Sequence, residues 1–452
     1  MNLLAILLIA LIVANALKKN IKLVRHSLIP TPVLGGIILL IVSGIYEAVS
    51  GNMLFNTGFF GENGLSGLEI ITYHFLALGF IASTLKRSEN KFTGKRKAEI
   101  FDSGVTTVAS YLVQGILGLG ATIIIAFFIL PTFFPAAGIL LPFGFGQGSG
   151  QALNYGSIYE SDYGFVGGRN FGLTVAALGF IAASIGGVIH LNLLKKKGVV
   201  IIKDAENMDT PKEQIETPNE IPMNGTIDKL TVQIAFTFGV YGITYLVMYL
   251  LGELVPGLIS VIYGFNFLLG VLVASGCRVV MNLLRKKGIV NKRYTNNFFL
   301  THLSNFFFDV MIVAGIAAIR LEALAGYWWI LLVLGVVGTI STYFYNRFIA
   351  KKFFPNYAEE QFLVMYGMLT GTASTGIMLL REIDPDYKTP AQENLIYQTL
   401  PAIVFGFPMM IIATLAPKEP VLTLIVLAAF FLVMNIILFR RQIFRFKKKT
   451  SK

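Results

Sequence analysis

Charged side chains are scarce in this sequence of 452 residues, since Asp, Glu, Lys and Arg together make up only 14% of it. A soluble domain carries about 25% charged residues. Hydrophobic residues make up 55% of the chain, which is more than one soluble core of this length can hide from water. The shortage of charge therefore excludes an ordinary soluble protein and makes a lipid bilayer the solvent for much of the surface.

The sequence has only one cysteine and lacks two common catalytic or nucleotide-binding motifs. The single Cys277 excludes an internal disulfide framework and is interpreted as a small apolar side chain of a helix. Neither the phosphate-binding motif G-x-x-x-x-G-K-[ST] nor the hydrolase motif G-x-S-x-G occurs, and the four histidines are scattered. The sequence therefore predicts neither an ATP-driven protein nor an enzyme, and no cofactor.

What the sequence does contain is a series of long apolar runs. Crossing a hydrocarbon core of about 30 Å takes about 20 such residues. Eleven runs are predicted to be membrane-spanning helices: residues 2–17, 30–49, 69–84, 103–133, 169–193, 230–251, 256–281, 298–319, 326–346, 395–416 and 418–439. No basic residue precedes the first run, so we interpret it as a retained span and not as a cleaved signal peptide.

The basic residues predict the orientation of these spans. With the N-terminus outside and the C-terminus in the cytoplasm, all of the 37 basic residues except Arg169, Arg320 and Lys418 fall on the cytoplasmic side. Proteins of inner or plasma membranes carry an excess of Lys and Arg on the cytoplasmic side, and this excess explains the net charge of +12. The charge is therefore not evidence for a nucleic acid as a partner.

A polar linker at 194–229 divides the chain into two halves. Each half, 1–193 and 230–416, has five spans and one apolar stretch that is broken by small and polar residues. Because five is odd, the second half is predicted to cross the membrane upside down relative to the first. Residues 417–452 add one further helix and a basic cytoplasmic tail, so the predicted fold is an all-α membrane protein with two inverted repeats.

The broken stretches lie at corresponding positions of the two halves, at 137–160 and 359–380. Both ends of the first are predicted outside and both ends of the second inside, so we interpret them as re-entrant hairpins that enter from opposite sides. Irregular backbone at membrane depth is tolerated where it lines a cavity, and such a pair indicates the binding site of a transporter. The predicted substrate-binding residues are Gln147, Ser149, Gln151, Asn154, Thr370, Thr372, Ser374 and Thr375.

Three segments resemble the bacterial sodium/glutamate symporter family: "IPTPVLGGIILL" at 30–41, "GFGQGSGQALNYG" with the following "YGFVGGRNFGLTVAALGFIAASIGG", and "LTGTASTGIMLLREIDP" at 369–385. The resemblance implies an inverted-repeat fold, a homodimer, sodium-coupled uptake of glutamate, and elevator-like movement of the domain that bears the hairpins. In the first hairpin, Gln147 stands where the family carries a histidine, and no tryptophan follows. The fold and the type of coupling therefore carry over better than the substrate does.

Asp309 is predicted to take part in binding or coupling of Na⁺, together with Asn305 one helical turn before it. It is the carboxylate nearest the middle of a predicted span, and such residues are costly to bury and usually functional. The alternative is a structural pair between these two side chains, or between Asp309 and a facing helix.

Several other side chains have both a functional and a structural interpretation. Arg169 and Arg381 could bind a carboxylate bidentately, but an ion pair at a helix end and an anchor at the inner face are favoured. His74 is interpreted as a hydrogen-bonded side chain in preference to a proton relay, and Gln114 as a bond between helices. Anchoring at the outer interface is predicted for Trp328 and Trp329.

Two alternatives to a glutamate symporter stay open at this point. Re-entrant segments also build the selectivity filters of channels, and a channel differs from a transporter because it cannot concentrate a solute. A symporter of the same fold for a different organic anion is the second alternative.

Overall fold

The computed structural model is built from helices, which make up 84% of it. It describes residues 1–22, 24, 29–86, 93–198, 220, 222–223, 227–256, 259–264, 266–290, 292–320, 326–384 and 388–449. Within these ranges there is no sheet, and one isolated bridge joins Glu220 to Arg293. The predicted all-α fold is confirmed, whereas most of the predicted linker, 199–219, lies outside the described residues.

In the first half of the chain, the described residues form six helices and four short helical turns, two of which are Leu54–Asn56 and Ile125–Ile129. The helices are α1 (Asn2–Asn20), α2 (Thr31–Ser50), α3 (Gly64–Leu85), α4 (Gly94–Ile124), α5 (Ser149–Tyr163) and α6 (Gly168–Lys196). The short turns Pro135–Ile139 and Pro142–Gly146 lie between α4 and α5. Together with α5 they form an antiparallel hairpin, which we call hairpin one.

In the second half of the chain, the described residues form ten helices and one short turn, Pro355–Tyr357. Its helices are α7 (Lys229–Leu254), α8 (Ile259–Gly264), α9 (Asn266–Lys286), α10 (Asn297–Ala317), α11 (Trp328–Phe353), α12 (Ala358–Thr370), α13 (Ala373–Arg381), α14 (Ala391–Tyr397), α15 (Thr399–Ala413) and α16 (Pro420–Lys449). Helices α12 and α13 form hairpin two. The order of elements agrees with a repeat, while the inverted orientation of the halves stays a prediction.

Ten of the described helices are long and apolar enough to cross a membrane, and the bent pair α14–α15 makes up to eleven. The number of predicted spans is confirmed, although most boundaries differ by one to several residues. Helix α4 begins at Gly94 because the side chain of Thr93 caps it and accepts from the Arg96 N–H. The predicted span 395–416 bends by 52° between α14 and α15.

The helices pack into two groups. Helices α1, α2, α3, α7, α8, α9 and α10 contact one another and form what we call the wall helices. Glycines bring them close: a Cβ atom at Gly36 of α2 would lie 2.6 Å from Ile316 Cβ, and one at Gly270 of α9 would lie 2.9 Å from Ile81. The remaining elements, α4, both hairpins, α6, α11 and α14–α16, form the hairpin group.

Helix α5 of hairpin one lies at the border between the groups, since it contacts α3, α8 and α10 of the wall as well as α6. The added helix α16 packs along α4. At their common end, Arg440 Nη1 lies 2.7 Å from the carboxylate of the buried Asp102. This ion pair gives α16 a structural role that the sequence did not reveal.

Candidate functional site

Hairpin one turns at Gln147 and Gly148. Gly148 has φ +88°, a conformation that favours glycine, and it precedes the first residue of α5, Ser149. The two arms are held together by Phe143 and Tyr155, whose rings stack with centroids 3.8 Å apart. The Tyr155 hydroxyl donates to the carbonyl of Met410 in α15 at 2.7 Å, which anchors the hairpin.

Hairpin two turns at Gly371 and Thr372. Gly376 lies where a Cβ atom would be 2.5 Å from the Val364 carbonyl oxygen, so its lack of a side chain lets the arms approach. Thr372 caps α13, because its hydroxyl accepts from the Thr375 N–H at 3.3 Å in a reciprocal capping box. Helix α12 therefore ends, and α13 begins, at the tip of this hairpin.

The tips of the two hairpins meet on α6 and α4. A side chain at Gly179 of α6 would collide with the Thr370 carbonyl on one side and with Phe145 of hairpin one on the other. Gln114 of α4 donates through Nε2 to the Leu369 carbonyl at 2.8 Å and to Thr342 Oγ1 of α11 at 2.7 Å. Its Oε1 faces Gly146, 3.2 Å from where a Cβ atom would be.

Three buried polar atoms in or beside the tip of hairpin one have no hydrogen-bond partner within the part of the chain that the structure describes: Gln114 Oε1, Ser149 Oγ and Gln151 Nε2. An unsatisfied buried polar group costs about 1–3 kcal/mol. Ser149 packs against Gly315 of α10, where a Cβ atom would lie 3.0 Å from Ser149 Cβ. The tips thus offer donors and acceptors that a polar ligand or water would satisfy.

Most of the other predicted substrate-binding residues make hydrogen bonds within their own hairpin. Asn154 Nδ2 donates to Gln151 Oε1 at 3.3 Å, and Gln147 is half-buried in the turn. Thr370 Oγ1 donates back to its own helix, to the Tyr366 carbonyl at 2.6 Å, and Thr372 and Thr375 form the cap. The side chain of Ser374 lies outside the described part of the structure.

The predicted cation residues lie on α10, away from these bonds. Asn305 is exposed and Asp309 is half-buried, and among the described residues neither makes a hydrogen bond with the other. No group of three or more His, Cys, Asp or Glu side chains that could hold a metal occurs in the described ranges. Hard oxygen donors suit Na⁺ as they suit other hard cations.

The remaining candidates mainly make structural contacts. His74 Nδ1 lies 2.5 Å from the Tyr241 hydroxyl, as expected of a hydrogen-bonded side chain, and Gln114 joins helices as predicted. Arg381 has polar or electrostatic contacts of its own at the end of α13. Trp328 and Trp329 begin α11 and are 46% and 40% exposed, which suits their predicted anchoring role.

Two features of the site were missed from the sequence. The first is a cavity of about 560 Å³ between α5 and the wall helices α3, α7 and α8, lined by Glu69, His74, Asn154 and Arg169 among others. The second is a buried polar network beside hairpin two. Its bonds join Ser103, Gln361, Asn394 and Gln398. The signal for both was polar residues within apolar runs, but spacing alone does not show which distant helices meet.

Ten or eleven long apolar helices among the described residues define a multi-pass membrane protein, and two hairpins whose tips meet within the bundle are typical of transporters. The sequence model of the sodium/glutamate symporters matches residues 1–358, which is most of the chain. The chain therefore belongs to the sodium/glutamate symporter family, and the resemblance seen in the sequence is confirmed. The match includes hairpin one and ends where hairpin two begins. A search of the curated proteins finds no match.

Proposed function

We propose that the protein is a secondary active transporter that couples Na⁺ entry to the uptake of glutamate or a related anionic amino acid. The observation that carries this proposal is the meeting of two hairpin tips, with three buried, unpaired polar atoms in or beside the tip of hairpin one, in a member of the sodium/glutamate symporter family. Neutral amides and hydroxyls can bind the charged ends of an amino acid while costing less to bury than charged side chains.

The helix ends at the tips suit the two kinds of ligand. Helix α5 begins at Ser149 and α13 begins at Ala373, so their N-terminal N–H groups favour a carboxylate. Helix α12 ends at Thr370, and the carbonyls of a helix C-terminus favour a cation. Gln114, Ser149 and Gln151 would then supply polar contacts to the substrate, and the end of α12 would face the ammonium group or Na⁺.

We propose that Asp309 and Asn305 couple transport to Na⁺, because carboxylate and amide oxygens are suitable ligands for this ion. Asp309 lies on the wall helix α10 six residues before Gly315, which touches the tip of hairpin one. Six residues of helix span about 9 Å. A carboxylate this far along the helix from the contact with the tip would attract Na⁺ toward this region of the protein, with no cofactor needed beyond the ion.

The remaining parts of the proposal concern arrangement. The distribution of basic residues supports an N-terminus outside and a C-terminus in the cytoplasm of the cell membrane. Separate wall helices and hairpin group support elevator-like alternating access, in which the hairpin group moves along the wall. Family membership is the only support for a homodimer.

The test is uptake of labelled glutamate into proteoliposomes that contain the purified protein. We expect accumulation above the external concentration when Na⁺ is higher outside, and none when choline replaces Na⁺. Proteoliposomes with Asp309→Asn are compared in the same assay and should require more Na⁺ for half-maximal uptake. Equilibration without accumulation would instead indicate a channel, and uptake of another anion alone would replace glutamate as the substrate.

A further inference from the structure

The cavity of about 560 Å³ beside α5 contains a charge arrangement that the proposed transport site does not use. The predicted topology places it on the outer side, so we call it the outer cavity. Its volume lies within the range of small-molecule sites, about 300–1,000 Å³. Wall helix α3 contributes Glu69 and His74, and hairpin one contributes Asn154 and Ser157.

Arg169 is the cationic side chain of this cavity. It is the second residue of α6, and its Nη1 lies 3.2 Å from Glu69 Oε2 on the facing wall helix. Its Nε is buried without a hydrogen-bond partner among the described residues, since the Glu160 carboxylate lies 3.9 Å from it and accepts from the Arg169 backbone N–H at 3.1 Å. One of the guanidinium N–H groups that could bind a carboxylate is therefore still without an acceptor.

A second arginine reinforces the positive charge at this place. Arg320 acts electrostatically on Glu69, and its backbone N–H donates to Asn170, next to Arg169, at 2.7 Å. The predicted topology leaves only Arg169, Arg320 and Lys418 on the outer side. Two of the three outer basic residues thus lie near two carboxylates, Glu69 and Glu160, at the mouth of the cavity, so an anion reaches these cations only by displacing a carboxylate.

The outer cavity also leads toward the hairpin tip. Asn154 lines it and donates to Gln151 at 3.3 Å, and Gln151 carries one of the unpaired buried atoms of the tip. Residues Asn154, Ser157 and Ser161 lie on one face of α5, which forms a polar path of about two helical turns along the cavity.

We propose that the outer cavity is a capture site for the carboxylate of an amino-acid anion, in which Arg169 binds the substrate and Glu69 is the internal carboxylate that the substrate displaces. This inference rests on the proposed uptake of an anionic amino acid and adds a second, outer site to it. Glu69 keeps Arg169 oriented and satisfied while the cavity is empty, and it competes with the incoming anion.

If the substrate competes with Glu69 for Arg169, substitutions of these two residues change the KM in opposite directions. Loss of a purely structural ion pair would change the KM in the same direction for both. Arg169→Gln removes the cation and should raise the KM for glutamate uptake about tenfold or more. Glu69→Gln removes the competing carboxylate and should lower the KM. Lys418→Gln is the matched control, because it removes the third outer cation at an exposed position outside the cavity and should leave the KM unchanged. Equal increases in KM for Arg169→Gln and Glu69→Gln would overturn the inference.

A second measurement does not depend on transport. In a Cys277→Ser background, Ser157→Cys places a thiol on the lining of the cavity, and its rate of reaction with a membrane-impermeant thiol reagent is measured in detergent. Glutamate should slow the reaction severalfold, and adding Arg169→Gln should abolish this protection while Lys418→Gln preserves it. Absence of protection, or protection that survives Arg169→Gln, would overturn the capture site even if sodium-driven uptake is found. Protection without any uptake would support the capture site and count against the proposed transport.

Discussion

At the scale of the single residue, Gln114 holds the two hairpin tips in place. It is fully buried in α4, and its amide donates to hairpin two and to α11 while its oxygen faces hairpin one. A neutral amide can serve the fold and the ligand at once, because one end makes structural bonds and the other is left to accept. Gln114 is therefore central to the candidate site although it lies on neither hairpin.

The Gln114→Leu variant tests this dual role. It keeps the size of the side chain but removes both donors and the free acceptor, so we expect a loss of stability of about 1–3 kcal/mol and a KM for the transported anion at least about tenfold higher, or about 1.4 kcal/mol. Uptake kinetics and thermal denaturation of the same preparation measure the two effects.

Gln233→Leu is the matched control for that variant. Gln233 is fully buried in α7 and also donates to two acceptors, the carbonyls of Lys229 and Tyr294. It differs from Gln114 because it belongs to a wall helix and bonds to neither hairpin. We expect a similar loss of stability with an unchanged KM. Equal changes in KM for both variants would mean that Gln114 acts only through the fold.

At the scale of the element, the start of hairpin two is fixed by one carboxylate. Glu359, in the first turn of α12, makes bonds of 2.7 and 3.1 Å to Arg347 of α11 and lies 2.9 Å from His190 Nε2 of α6. The hydrogen bond with His190, aided by Arg347, lowers the pKa of Glu359 to about 2. Three elements of the hairpin group are thereby joined at one end of the hairpin.

The lowered pKa of Glu359 predicts how stability depends on pH. Because the folded pKa lies below the unfolded value of about 4.3, its stabilisation is complete above that value and is lost as the pH falls toward 2. Glu359→Gln should lower the thermal denaturation midpoint at pH 7, and its difference from the unaltered protein should shrink below about pH 4.

Glu360→Gln is the comparison on the same helix. Burial raises the pKa of Glu360, so making this side chain neutral should not destabilise the protein. Denaturation scans from pH 7 to pH 3 distinguish the two positions. A midpoint for Glu359→Gln that stays equal to that of the unaltered protein at pH 7 would show that the three elements do not depend on this carboxylate.

Elements were more predictable from the sequence than their meeting points. The second hairpin, predicted at 359–380, is observed at Ala358–Thr370 and Ala373–Arg381, because glycine and hydroxyl residues interrupt an apolar run at its tip. The convergence of Gln114 with both tips, and of Arg169 with Glu69, was not predictable, since periodicity gives the faces of a helix but not the distant helix that each face contacts.

At the scale of the whole molecule, the chain combines two groups of helices with little shared packing. The outer cavity lies between them, and α5 of hairpin one is the main element in contact with both. The added helix α16 belongs to the hairpin group through the pair of Arg440 with Asp102, so it enlarges the body that carries the hairpins. This arrangement is what movement of one group along the other requires.

A covalent link between the groups tests that movement. Lys18 of wall helix α1 lies 3.8 Å, through its Nζ, from Met378 Sδ of hairpin two. Lys18→Cys with Met378→Cys in a Cys277→Ser background, joined by a cleavable bifunctional thiol reagent, should abolish uptake because the hairpin group can no longer leave this position. Cleavage of the link should restore uptake.

A link within the hairpin group is the control. The pair Leu178→Cys with Gly335→Cys has a Cβ–Cβ distance of 4.0 Å, which suits a disulfide. This link should leave uptake intact. Full uptake with the first pair linked would exclude elevator-like movement at this interface and leave local opening of the hairpins as the means of access.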